Sequence, residues 1–168
     1  LKEGREVKVS KRYGNIVTPS DLIDEVGLDA ARFFFLLYSA EAHMNFDLDL
    51  AKEKSDKNPV YRVQYGYARL SSILRKARGI TYGPEDVSQL VDSNEHALIK
   101  KLIQFPEVIE DVATTFQVQK LPHYALDLVG ELHGFYEQVR VISDNKELTS
   151  ARLALIKAAQ IVLKNTLS

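Results

Sequence analysis

The stretch PHYALDLVGELHGFYEQVRVI, residues 122–142, carries apolar side chains at Ala125, Leu128, Val129, Leu132, Phe135 and Val139. Steps of three and four residues put these on one side of an α-helix, whereas a half-buried strand would need strict alternation. The spacing predicts a long helix from Pro122 to Ile142, buried along one stripe.

The same period recurs on either side. Ala97, Leu98, Ile99 and Leu102 mark a helix from Asn94 to Phe105, and Leu153, Ile156, Val162 and Leu163 mark another from Thr149 to Leu167. A shorter helix, Pro106 to about Phe116, continues the first of these with a kink, because proline lacks an N–H and crowds the preceding turn. Nearer the N-terminus, Pro19-Ser20-Asp21 starts a helix that Gly27 ends, and Asp29 caps the next one. That next helix, Ala30 to about Ala40, is apolar nearly all round and is expected to be buried on most sides. A short helix near Asp47 to Lys54, with Asp47 and Asp49 as local caps, a loop over 55–59 and a long helix from Val60 to about Ala77 complete the pattern. The fold class expected is all-α: a helical bundle preceded by a short irregular loop segment. Residues 1–45 and 46–168 form the two expected parts, with a possible further division at the Gly79–Pro84 break.

Composition excludes several functions. With 168 residues, 45% apolar and 27% charged, the chain is long enough and apolar enough to bury a core. It has no cysteine, which rules out disulfides and thiolate metal sites, and its four histidines are too scattered for a zinc site, so no metal site is expected. No apolar run approaches the roughly 20 residues of a membrane-spanning helix. The chain opens at Leu1 in charged sequence without a cap of its own, and we read it as a fragment.

The charge is uneven along the chain. Between Asp56 and Glu85 there is no acidic residue, yet Lys57, Arg62, Arg69, Arg75, Lys76 and Arg78 fall inside. On the long helix, Arg62, Arg69 and Lys76 recur at seven-residue steps with Tyr65 and Ser72 between them, so one stripe is basic and aromatic. Such a stripe offers cations to phosphates and rings to unstacked bases, which is what single-stranded RNA needs, and an ordinary solvated face fits the same pattern. Tyr136 and Arg140, with His133 one turn earlier, stand at i and i+4 on the predicted 122–142 helix, where a core stripe fits as well. Arg152 and Lys157 on the last helix read as solvated. Near the start, KVSKRYGN (8–15) sets Lys8, Ser10 and Lys11 on a glycine-ended loop suited to phosphate oxygens, a weak signal by itself.

The longer stretch VSKRYGNIVTPSDLIDEVGLDAARFFFLL resembles the class I aminoacyl-tRNA synthetases around their second nucleotide signature, usually Lys-Met-Ser-Lys, with Val9 here in the Met position. NFDLDLAKEKSDKNPVYRVQYGYARLSSILRKA, ELHGFYEQVRVI and ELTSARLALIKAAQIVLKNTL are similar to arginyl-tRNA synthetases, from that signature through the helical anticodon-binding domain. The resemblance covers essentially the whole chain. It implies a bundle of the class I anticodon-binding type and a cytoplasmic, ATP- and Mg-dependent ligase that joins arginine to its tRNA. The upstream domain carrying the main nucleotide pocket would be a partner. Lys8, Ser10 and Lys11 would meet the ATP phosphates there, while Tyr61, Arg62, Tyr65, Arg69, Lys76, Tyr136 and Arg140 would meet tRNA(Arg).

With the upstream pocket absent, the isolated chain is expected to bind tRNA weakly, to activate no arginine and to hold no ATP or Mg. Neither membrane nor DNA is an expected partner. A free-standing helical RNA-binding module and a purely structural helical protein are the alternatives.

Overall fold

The computed structural model describes residues 18–167. Its described elements are α1 (Pro19–Val26), α2 (Leu28–Leu36), α3 (Leu48–Lys52), α4 (Pro59–Lys76), a 3-10 turn (Pro84–Gln89), α5 (Ser93–Ile103), α6 (Phe105–Thr115), α7 (Lys120–Gln138) and α8 (Lys146–Thr166). The fold is all-α, as the apolar periodicity requires. The chain divides into two compact units, Leu1–Arg62 and Val63–Ser168, and α4 crosses the division.

In the first unit, α1 opens with a capping box. The Asp21 N–H donates to Thr18 Oγ1 at 3.1 Å, and the Thr18 N–H donates back to Asp21 Oδ2 at 2.8 Å. The Thr18 hydroxyl also donates to that oxygen, and these bonds, the hydroxyl's first, hold the Asp21 carboxyl below the usual range. Gly27, at φ 84°, ends α1 and begins α2. Its positive φ suits a residue without Cβ. The expected cap at Asp29 is therefore corrected: Asp29 lies inside the first turn of α2, where its charge faces the positive end of the helix.

The expectation that this helix is buried on most sides is also corrected. Ala30, Ala31, Phe33 and Phe34 are buried, whereas Phe35 and Leu36 stay exposed, because among the described residues α2 packs along the side that meets α1 and α3. Phe46 closes that packing with ring contacts to Phe34 at 5.3 Å and Phe35 at 5.8 Å. Asp47 caps α3 by accepting from the Leu50 N–H at 3.0 Å, as expected, while Asp49 is a first-turn acid. Asn58, buried in the loop before α4, uses both ends of its amide. Its Nδ2 donates to the carbonyls of Ala51 and Glu53, and its Oδ1 accepts from the Val60 N–H, so one side chain ends α3 and starts α4.

The second unit is a bundle whose core is the predicted stripe. Leu128, Leu132 and Phe135 of α7 are fully buried with Leu98 of α5, Leu70 of α4 and Leu153, Ile156 and Leu163 of α8. Each such side chain contributes roughly 1.5–3 kcal/mol of transfer free energy. The junction at Gln104 ends α5 and begins α6, with Pro106 in the first turn, as the kink predicted.

At the start of α5, Asp92 and Glu95 form a second capping box. Asp92 Oδ1 accepts from the Asn94 N–H at 2.8 Å, and Glu95 Oε2 accepts from the Asp92 N–H at 2.9 Å. The Asn94 backbone bond, then its side chain, holds the Asp92 carboxyl below the usual range. Glu95, fully buried, also takes a 2.6 Å hydrogen bond from Arg152 Nε. The solvated reading of Arg152 is thus corrected, because a carboxylate with no access to water requires a cationic partner.

The long helix from Pro122 to Ile142 is corrected at its end. α7 stops at Gln138, and Val139 is extended at φ −114°, ψ 121°. Val139 and Val141 are both buried, so the period there has changed from helical to alternating. The Arg140 carbonyl between them accepts from Arg152 Nη1 at 2.8 Å.

Tyr124 is buried, with its hydroxyl donating to the Lys101 carbonyl at 2.8 Å, and burial pushes its phenol up to about 12. Because the folded value lies above the unfolded one, this contribution is whole below the unfolded value of about 10 and is lost as the pH rises from there towards about 12. Urea midpoints measured across that window should fall, and Tyr124→Phe should flatten the part of the fall that this phenol causes. Arg152→Ala, which strands Glu95 in the core, should cost about 3–5 kcal/mol in urea denaturation. A loss near the size of an exposed pair would show that water reaches Glu95 in solution.

Candidate nucleic-acid interface

Helix α4 has two unlike faces. Val63, Gly66 and Leu70 face the core, as does Ala77 just beyond the helix, while Tyr65, Arg69 and Lys76 are exposed. The large exposed ring is informative here: Tyr65 keeps 46% of its surface accessible, in a segment free of carboxylates. Ile73 and Leu74 are only half-buried. Tyr61 and Arg62, both half-buried, occupy the first turn of the same helix and belong to the first unit. Arg75 and Lys76 sit in the last turn, where their charges also complement the negative end of the helix.

Gly66 determines how near α7 can come. A Cβ at this position would lie 3.0 Å from both Cγ atoms of Val129, so a side chain added here would force Val129 to give by a few tenths of an ångström. One turn further along α4, the Arg69 guanidinium lies over the Tyr136 ring, 5.4 Å from its centroid. His133 meets the same ring edge-on, with centroids 5.3 Å apart and planes at 87°. Its Nδ1 is 3.0 Å from the Tyr136 hydroxyl and its Nε2 is 3.1 Å from Glu137 Oε1. A bond from Gln160 Nε2 to Ser71 Oγ, 3.0 Å, ties α8 to α4.

Of the residues singled out from sequence, Tyr65 and Arg69 share an exposed face, and the structure brings Arg69 onto Tyr136. Lys76 lies on that face two turns beyond Arg69. Arg140 is not on the helix with Tyr136: α7 has ended, so the expected i, i+4 pairing is corrected, although Arg140 is exposed. Lys8, Ser10 and Lys11 lie outside the described residues. Sequence reasoning missed the Gly66 contact, although a glycine between two tyrosines inside a strong helix is itself a signal of close approach. It also missed Glu137 as the partner of His133, legible in hindsight from the i, i+4 spacing.

An exposed tyrosine and guanidinium on a well-packed α-helical core offer the groups that a helical nucleic-acid-binding bundle uses. The model of the DALR anticodon binding domain matches residues 63–168, and the chain belongs to that family. The match coincides with the second compact unit.

Two curated relatives are the arginine–tRNA ligase of Geotalea daltonii, 46% identical over 173 residues, and that of Geobacter metallireducens, 49% identical over 173 residues. Each alignment covers all of this chain and 31% of the relative, so the chain spans just under a third of the length of these proteins. A solved structure from Campylobacter jejuni, assigned to the arginyl-tRNA synthetases, superposes with a TM-score of 0.78 at 28% identity, covering 92% of this chain and 34% of that one. The arginyl-tRNA synthetase of Plasmodium falciparum superposes with a TM-score of 0.70 at 26% identity, covering 87% and 26%.

Filling the space at Gly66 should separate α4 from α7. Gly66→Leu is expected to cost about 1–3 kcal/mol in urea denaturation, the range for overpacking a close contact. An unchanged midpoint would mean that Val129 can move aside freely.

Proposed function

We propose that this chain is the tRNA-gripping portion of a cytoplasmic arginine–tRNA ligase, whose whole enzyme joins arginine to tRNA(Arg) with ATP and Mg. Residues 1–45 would close the end of the catalytic domain, and the helices beyond would receive the anticodon loop. The observation that carries the reading is the coincidence of the anticodon-binding family match, 63–168, with a unit that exposes Tyr65 and Arg69. Tyr61, Arg62, Tyr65, Arg69, Lys76, Tyr136 and Arg140 are the proposed RNA-facing residues, and the upstream catalytic domain is the proposed partner within the enzyme.

The chemistry of these groups supports the assignment. Guanidinium and ammonium groups neutralise phosphates and release counterions, which makes affinity fall with salt. A tyrosine ring offers a flat face to any unstacked base, and a basic, ring-bearing surface therefore suits a loop better than a duplex. In the whole enzyme, Lys8 and Lys11 would offset charge on the ATP phosphates as the arginine carboxylate attacks the α-phosphate and pyrophosphate leaves, with Ser10 bonding phosphate or shaping the loop.

Titration with arginine-accepting tRNA at several salt concentrations tests the reading. Tyr65→Ala should weaken binding by about 1–3 kcal/mol, the range for a lost stacking platform. Arg62→Ala should reduce the slope of log affinity against log salt by about one. Unchanged binding in a folded variant would remove that residue from the interface.

A further inference from the structure

Tyr136 is a ring held by its neighbours on the proposed RNA-facing surface. Arg69 covers a face, His133 meets its edge, and its hydroxyl lies 3.0 Å from His133 Nδ1. The brace is itself held, since His133 Nε2 pairs with Glu137 one turn on. Arg69 and His133 thus hold the ring between them. Tyr136 is half-buried, whereas the guanidinium resting on it belongs to a side chain that is exposed.

An unsupported arginine samples many rotamers and loses that freedom when it binds a phosphate, so a ring beneath it removes part of that cost before the ligand arrives. A flat surface also suits the planar fork of donors, which meets two phosphate oxygens at once only when its plane is oriented. The cluster therefore has the construction of a shelf and a brace under one cation.

We propose that Tyr136 is a positioning residue that acts on RNA through Arg69: the ring holds the guanidinium flat at the surface for a backbone phosphate, and His133 braces the ring. This deepens the RNA-binding reading above and rests on it.

The test is a double-mutant cycle in this chain, read as affinity for arginine-accepting tRNA and as its salt slope, with each variant's melting checked. Arg69→Ala should lower the slope by about one. Tyr136→Leu should weaken binding about two- to fivefold, the range of an exposed cation–π pair, and should have no further effect once Arg69 is alanine. Tyr136→Phe, which keeps the ring under Arg69 but loses the hydroxyl that His133 holds, should fall between the parent and Tyr136→Leu, and a loss as large as that of Tyr136→Leu would overturn the role of the ring face. Losses that multiply in the double variant overturn the inference, since Tyr136 would then touch RNA independently of Arg69. If Tyr136→Leu does not fold, Arg69→Lys takes its place: it keeps the charge but not the planar fork, so it should also lose about two- to fivefold, and full affinity overturns the inference. No binding by the parent chain overturns the RNA reading itself, a different result from parent binding with multiplied losses.

Discussion

A carboxylate with no exposure to water and an arginine that reaches it hold the second unit in one arrangement. Glu95 accepts from the Asp92 N–H with one oxygen and from Arg152 with the other, and Arg152 also donates to the Arg140 carbonyl. Three segments thus converge on one ion pair: the start of α5, the second turn of α8 and the extended chain after α7. A buried pair of this kind adds little net stability over apolar residues of similar volume. Its force lies in the alternatives, because any shift that separates the partners leaves a charge unpaired in the core. The end of α7 follows from this. The Arg140 carbonyl is engaged in a non-helical setting, and the last helical turn before it carries Tyr136.

The proposed interface depends on a second constraint, the approach of α4 to α7 at Gly66. One face of α4 is filled by Val63 and Leu70, and the glycine between them lets Val129 come within the space of a missing methyl. With the helices that near, Arg69 reaches across to the Tyr136 ring. The same helix presents Tyr65 to solvent, and no acid interrupts the sequence from residue 57 to residue 84. Core packing and surface chemistry are therefore two sides of one helix, separated by about a third of a turn of rotation.

Much of the secondary structure was legible because periodicity is a local property. The helices with strong apolar spacing appear where the pattern places them, and the kink at Pro106 follows from chemistry contained in the residue itself. The departures have a common cause. Asp29 was read as a cap from its type and place, yet Gly27 had already supplied the turn. Phe35 and Leu36 looked like core residues, but hydrophobicity does not say how many neighbours a helix will have. Val139, four residues after Phe135, fits the helical spacing for one more turn, yet the chain is extended there and the Arg140 carbonyl accepts from Arg152 instead.

By itself, the sequence determined the all-α class, the apolar stripe of α7 and the basic, tyrosine-bearing character of α4, since each is set by residue type and a repeat of three or four. Tertiary structure alone decided that Arg152 serves a buried carboxylate, that Arg69 lies on Tyr136 and that Arg140 leaves the helical face. The physical reason is distance along the chain: Glu95 and Arg152, like Arg69 and Tyr136, are more than fifty residues apart. Their pairing is set by how the helices pack, not by any pattern within a single helix.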